Sequence, residues 1–217
     1  MLAEIRAGQT VLSDGTVAPA RASRMGGLAV GDAQGKYYEQ ASRGNIFSLM
    51  LSAWSTTINA GNIVGAAAGA TTQFAVWNPA GSGKNLSLLK FAVFPISGTA
   101  PIPPVIHSFS ITAPTIATSV VTPIACNNIG MAAASVARAL SSAAGAALTG
   151  SSILQYLRVA DLCITAGSAA NLQGLRLVEY IDGDIVIPPG TCWVPTWMAA
   201  GTTFLGGYSV TWEEIPV

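Results

Sequence analysis

The stretch "NPAGSGKN", Asn78 to Asn85, contains Gly-Ser-Gly-Lys, the close of a phosphate-binding loop. In such a loop the glycines let backbone N–H groups wrap the phosphates, the lysine adds charge, and a following Ser or Thr holds magnesium. Gly83 and Lys84 fit. Asn78 stands where the first glycine belongs, and Asn85 where the hydroxyl belongs. A phosphate loop must also open a helix, whose N-terminus helps to hold the anion. Here "QFAVW" precedes and "LSLLKFAVF" follows, and both read as strands. Two strand-like runs joined by Asn, Pro and Gly predict a hairpin with an ordinary loop, not a nucleotide site.

Other groups able to move protons or hold metals are few. His107 stands alone in "PVIHSFS", on a strand-like stretch, and is expected to be packed or hydrogen-bonded. Ser108 is its neighbour, but adjacent strand residues face opposite ways, so the two do not make a nucleophile–base pair. No G-x-S-x-G elbow occurs. Asp182 to Asp184, "DGD", begins like a calcium loop, yet the apolar Ile185 to Ile187 supply no ligands, which predicts a hairpin turn. Glu213 and Glu214 are adjacent and diverge in a strand, a poor arrangement for a paired-carboxylate glycosidase. Cys126, Cys163 and Cys192 form no C-x-x-C pair and read as buried free thiols; with a single histidine, no zinc site is expected. No catalytic, cofactor-binding or metal-binding residue is therefore assigned, and the chain is not read as an enzyme. Trp193, Trp197 and Trp212 lie near the C-terminus with Tyr180 and Tyr208. Core packing is the first reading of these rings. The alternative is that Trp193 and Trp197 face solvent and stack on sugar rings.

The elements that must carry these residues read as strands. Candidates are "IFSLML", "QFAVW", "LSLLKFAVF", "SFSIT", "RLVEYI", "DIVI", "CWVPTW" and "GYSVTWEEI", separated by turn formers such as "NPAGSG", "IDGD" and "IPPG". Tyr208, Val210 and Trp212 alternate with Ser209 and Thr211, the two-faced pattern of a strand. Short strands with regular turn signals predict a sandwich or barrel. The alanine-rich "GMAAASVARALSSAAGAAL", Gly130 to Leu148, has helix propensity but no sharp apolar stripe; it reads as strand and loop, with a short helix as the alternative.

Charge divides the chain. Of 217 residues only 20 are charged, 10 of each sign, and 51% are hydrophobic. Nine charges fall in residues 1–43: Glu4, Arg6, Asp14, Arg21, Arg24, Asp32, Lys36, Glu39 and Arg43. Residues 44–157 hold three, Lys84, Lys90 and Arg138. So neutral a middle suggests burial against other protein, since soluble monomers cover themselves with charge. No basic patch serves a phosphate backbone, so no direct nucleic-acid partner is expected. Gly61, Gly65 and Gly69 repeat like a helix-packing motif, but no run of about eighteen apolar residues occurs, so no membrane partner is expected either. "MLAEIRAGQT" has no apolar core for a signal peptide, and synthesis in the cytoplasm is expected. Residues 1–43 read as an extended N-terminal arm with a small hairpin in "GLAVGDAQGKYYE", Gly27 to Glu39; residues 44–217 read as the β-sandwich body. Arg21, Arg24, Lys36, Tyr37 and Tyr38 are the arm's candidates for partner docking.

Four pieces, "GLAVGDAQGKYYEQASRGNIFS", "NPAGSGKNLSLLK", "DGDIVIPPG" and "YSVTWEEIPV", together resemble virion-associated proteins of tailed bacteriophages. The resemblance spans most of the chain and rests on turns and strand ends. It implies a capsid decoration protein, a head fibre or a tail-associated fibre, often a jelly-roll sandwich and a trimer, and it carries over no catalytic residue. The expectation is a structural virion protein. It would bind the major capsid protein or another virion protein through its arm and oligomerise, as a homotrimer, through low-charge faces. The alternative is a receptor- or glycan-binding fibre module.

Overall fold

The computed structural model describes residues 36–50, 71–97, 105–111, 124–132, 134–147, 155–160, 177–197 and 205–217. The chain divides into two units, Met1–Glu39 and Gln40–Val217. Lys36 and Tyr37 form a turn that enters helix α1 (Tyr38–Ser42). Tyr38 thus begins a helix rather than continuing a hairpin; the rest of the expected hairpin, with Arg21 and Arg24, lies outside the described residues. The helix ends at Gly44, whose φ of 74° is left-handed. Gly44 N–H donates to Ala41 O at 3.1 Å and Asn45 N–H to Gln40 O at 3.0 Å, the paired bonds of a Schellman stop.

Ten strands follow: β1 (Ile46–Met50), β2 (Thr71–Trp77), β3 (Lys84–Ser97), β4 (Val105–Ser110), β5 (Ala125–Cys126), β6 (Arg138–Ala147), β7 (Gln155–Val159), β8 (Leu177–Ile187), β9 (Cys192–Trp197) and β10 (Leu205–Pro216). They form two five-stranded antiparallel sheets, in the orders β5-β1-β10-β3-β8 and β6-β2-β9-β4-β7, packed face to face as a β-sandwich. No two consecutive strands are neighbours in a sheet, and every connection except β6 to β7 crosses from one sheet to the other. The alanine-rich segment supplies β6, a strand and not a helix.

This order overturns the hairpin expected at Asn78 to Asn85. β2 and β3 belong to different sheets, so the turn between them passes over the end of the sandwich. Asn78 has the structural task of joining that turn to the one between β8 and β9. Its Nδ2 donates to Lys84 O at 2.7 Å and Ile187 O at 2.9 Å. Its N–H donates to Thr191 O, and its carbonyl accepts from Gly190 N–H. A glycine there would lose both side-chain bonds.

"DGD" is not a hairpin turn either. β8 runs unbroken through it, and both of its halves pair with β3: Val186 with Ser87 on one side, Tyr180 with Lys90 on the other. Asp182 and Gly183, at φ 51° and 91°, form a bulge opposite Leu89. Leu89 is also the extra residue of β3 against β10, where Leu88 pairs with Trp212 and Lys90 with Thr211, and it resets the phase of β3. Leu86 and Leu88 are buried inward-facing residues before it, Phe91 and Val93 after it. Without that extra residue, strict alternation would turn Phe91 and Val93 outward.

The core lies between the sheets. Phe47, Leu49, Phe91, Tyr208, Val210 and Trp212 come from the first sheet, and Phe74, Val76, Val105, Ala139 and Trp193 from the second. Phe91 packs edge-on to Trp193 at 5.3 Å and stacks on Tyr208 at 6.2 Å; Phe74 touches both Trp193 and Tyr208. Burying each such ring stabilises the fold by about 2–3 kcal/mol. Pro195 interrupts β9 where it can be tolerated. β2 pairs with β9 only at Cys192 and Trp193, so the proline lies past the end of that ladder. Among the described residues, no helix is long and apolar enough to cross a membrane.

Candidate functional site

Among the described residues, the side chains able to do chemistry gather in two places, each built by strands far apart in sequence. The first lies at the edge where β7 and β8 face each other across the sandwich. His107 on β4 and Trp193 on β9 are neighbours in one sheet; Glu179 on β8 comes from the other. His107 Nε2 lies 2.9 Å from Glu179 Oε2, and Trp193 Nε1–H donates to His107 Nδ1 at 3.1 Å. Indole nitrogen can only donate, so Nδ1 is unprotonated and the ring proton sits on Nε2, pointing at the carboxylate. Arg158 on β7 donates to Glu179 Oε1 at 3.2 Å and through its other terminal nitrogen to Asp184. His107 is 0% exposed and Glu179 5%.

A histidine oriented by a carboxylate is half of an acid–base apparatus. Here both ring nitrogens are engaged by the protein, and the ring is enclosed by Phe91 and Trp193. Ser108 lies on the other face of β4, where its Oγ is 2.6 Å from Thr196 Oγ1. The expected separation of His107 from Ser108 holds, as does the expectation that this histidine is hydrogen-bonded. The pattern binds sheet to sheet: the His107–Glu179 contact and the Arg158 pairs all span the two layers.

The second place surrounds Glu214, at the end of β10. This carboxylate is 1% exposed. Lys84 Nζ approaches Oε2 at 2.8 Å; Ser135 Oγ and Val136 N–H donate to Oε1 at 2.6 and 2.9 Å. Lys84, the apparent phosphate-loop lysine, begins a strand and neutralises a buried acid. Glu213 faces the other way, as expected for adjacent strand residues, and partial burial pushes its carboxyl above the ordinary glutamate value.

The remaining candidates are placed as follows. Trp193 is 1% exposed, at the centre of the aromatic core, so its assignment to sugar stacking is corrected: its ring is closed to a ligand and its N–H is bound to His107. Trp197 ends β9 opposite Val105, and its side chain lies outside the described residues. Lys36 sits over the Tyr37 ring at 5.2 Å, and Tyr38 is exposed. Cys192 is a buried free thiol whose pKa burial raises, Cys126 is half-buried and free, and Cys163 lies outside the described residues. Sequence reasoning missed Glu179, Arg158 and the pairing of Lys84 with Glu214. Their shared signal is sparseness: charges this rare, on strands this apolar, each need a partner.

No protein-family model, curated protein or solved structure matches the chain.

Proposed function

We propose that the chain is a structural virion protein of a tailed bacteriophage, a capsid decoration or head-fibre protein that attaches to the capsid and oligomerises, as a trimer, through low-charge faces. The observation that carries the reading is that, among the described residues, the buried groups able to do chemistry are engaged in holding the fold together. His107, Glu179 and Arg158 join the layers at one edge, and Lys84 and Glu214 fix an end of the sandwich. Strand order adds support. Leaving aside the outer strands β5 and β6, the sequence of pairings β1-β10-β3-β8 over β2-β9-β4-β7 follows a jelly roll, an architecture used in viral capsids and also in lectins and cupins. Fold alone does not choose among these. The burial of Trp193 weighs against a lectin-like use of that ring, and the resemblance to virion proteins weighs for the capsid.

In this reading the neutral β surface serves repetition. Apolar area removed from water between copies stabilises by about 25 cal/mol per Å², and many repeated weak contacts act together on the particle. Lys36, Tyr37 and Tyr38 are the described residues suited to capsid contact. The test is co-sedimentation of the purified full chain with capsids that lack it. Saturable binding, weakened by Tyr38→Ala, is the expected result. Absence of binding to capsids, tails and intact particles alike overturns the proposal.

A further inference from the structure

An apolar cleft of about 280 Å³ opens where the ends of β4, β7, β8 and β9 meet. Phe109, Leu157, Ile185, Val186, Ile187 and Trp193 supply most of its wall, and no charged side chain lines it. Leu157 and Val186 are each about half exposed there, at 52% and 48%. Arg158 and Asp184, next in sequence to the lining residues Leu157 and Ile185, are paired with each other. A charged occupant would be desolvated without compensation, so the cleft suits a neutral, apolar group.

The opposite edge of the same sandwich presents such a group. After β5, the turn Asn127 to Met131 holds Ile129 98% exposed, with Met131 two residues on at 47%. The turn is fixed before anything docks. Asn127 N–H donates to Ile46 O at 2.9 Å, and Ser48 Oγ to Asn127 Oδ1 at 2.7 Å. Asn128 Nδ2 donates to Ser42 O at 3.1 Å, while its Oδ1 and carbonyl accept from Gly130 and Met131. A preformed apolar tip loses little freedom on binding. Its sequence, "NNIGM", is uncharged, like the cleft.

Knob and cleft sit at the β5 and β8 ends of one sheet order, so they cannot fill each other within one copy. We infer that copies of this chain associate head to tail, Ile129 of one seating in the β7–β8 cleft of the next. Such a contact is heterologous and repeats around a ring when the rotation closes. The inference rests on the oligomer reading above and names its surfaces.

Two full-length variants test it: Ile129→Asp, without a knob, and Val186→Asp, without an apolar cleft. Sedimentation velocity at micromolar concentration should show an oligomer for the parent chain and a monomer for each variant, with circular dichroism unchanged. Mixed in equal amounts, the variants retain one intact knob–cleft contact, so a heterodimer and nothing larger should form. Should Val186→Asp fail to fold, Leu157→Lys takes its place. If both variants keep the parent's oligomer, or the mixture yields no heterodimer, the knob–cleft contact is wrong while oligomerisation stands. If the parent chain is itself a monomer, both readings fail. Unchanged assembly with capsid binding lost in Val186→Asp alone would assign the cleft to another virion protein and overturn the knob–cleft contact.

Discussion

Glu179 and Glu214 are both carboxylates withdrawn from water, yet they are stabilised differently. Glu214 takes donors from one corner: a lysine, a hydroxyl and the backbone N–H of Val136. The last cannot be removed by changing a side chain. Glu179 meets His107 and Arg158, two side chains from the opposite sheet. Breaking a buried charge pair costs more than the pair contributes, because the remaining charge is stranded. The corner keeps a backbone donor when a side chain is lost, whereas the partners at the edge hold two layers together.

The largest effect should follow His107→Leu. It removes the buried donor to Glu179 and the acceptor of the Trp193 N–H, at about 3–5 kcal/mol. For a domain of this size that is a fall in Tm of about 10 °C, readable by calorimetry. A loss below that of any substitution at the Glu214 corner would break the comparison.

Lys84→Ala comes next. Glu214 keeps Ser135 and Val136, and the Lys84 side chain is 32% exposed, so water can take part of its place. A loss of about 1–2 kcal/mol in denaturant unfolding is expected. Titration with a nucleoside triphosphate should show no saturable binding in either form, and binding that vanishes with Lys84 would restore the phosphate-loop reading.

Arg158→Ala sharpens the contrast within the edge itself. Its guanidinium is 40% exposed and Asp184 66%, so solvent already screens this outer pair. A cost of about 0.5–1 kcal/mol is expected, with His107 keeping Glu179 in place. A cost equal to that of His107→Leu would mean that arginine, not histidine, carries the cross-sheet link.

The smallest effect is a gain. Burial raises the Glu213 carboxyl, so the folded chain holds that proton more firmly than the unfolded chain does. Ionised Glu213 therefore destabilises the fold. The penalty is absent below the ordinary glutamate range, grows as pH rises towards the raised value, and is constant above it. Glu213→Gln should stabilise the chain slightly at neutral pH and not at all in acid, a difference visible in urea midpoints against pH. A gain that persists in acid would assign the effect to something other than charge.

The strands that were legible in the sequence were those whose two faces differ. β10 alternates Tyr208, Val210 and Trp212 against Ser209 and Thr211, and the structure buries the first three. β7 was invisible because all five of its residues are exposed and give no two-faced signal. β8 looked like two strands because a bulge and a hairpin turn use the same Asp-Gly chemistry, and only pairing with β3 tells them apart. The candidate site was less legible still. His107 and Glu179 are 72 residues apart and on different sheets, so no local spacing could join them. Trp193 was ambiguous for a related reason: strand alternation shows that a residue has a face, not whether another sheet covers it.

The position of β10 has a consequence for how the chain is made. Ser48 and Thr211 touch across β1 and β10, yet 163 residues separate them. β10 also lies between β1 and β3, so the first sheet has no centre until this strand emerges. At about 5–20 residues per second, the ribosome needs roughly 10–30 s to travel from one to the other. Throughout that interval the apolar faces of β1 and β3 have no strand between them to pair with. Folding of this sheet therefore waits for β10, and contacts so distant in sequence close slowly. The nascent chain faces its greatest risk of aggregation before β10 appears, and a stalled ribosome or a shielding chaperone would decide its fate there.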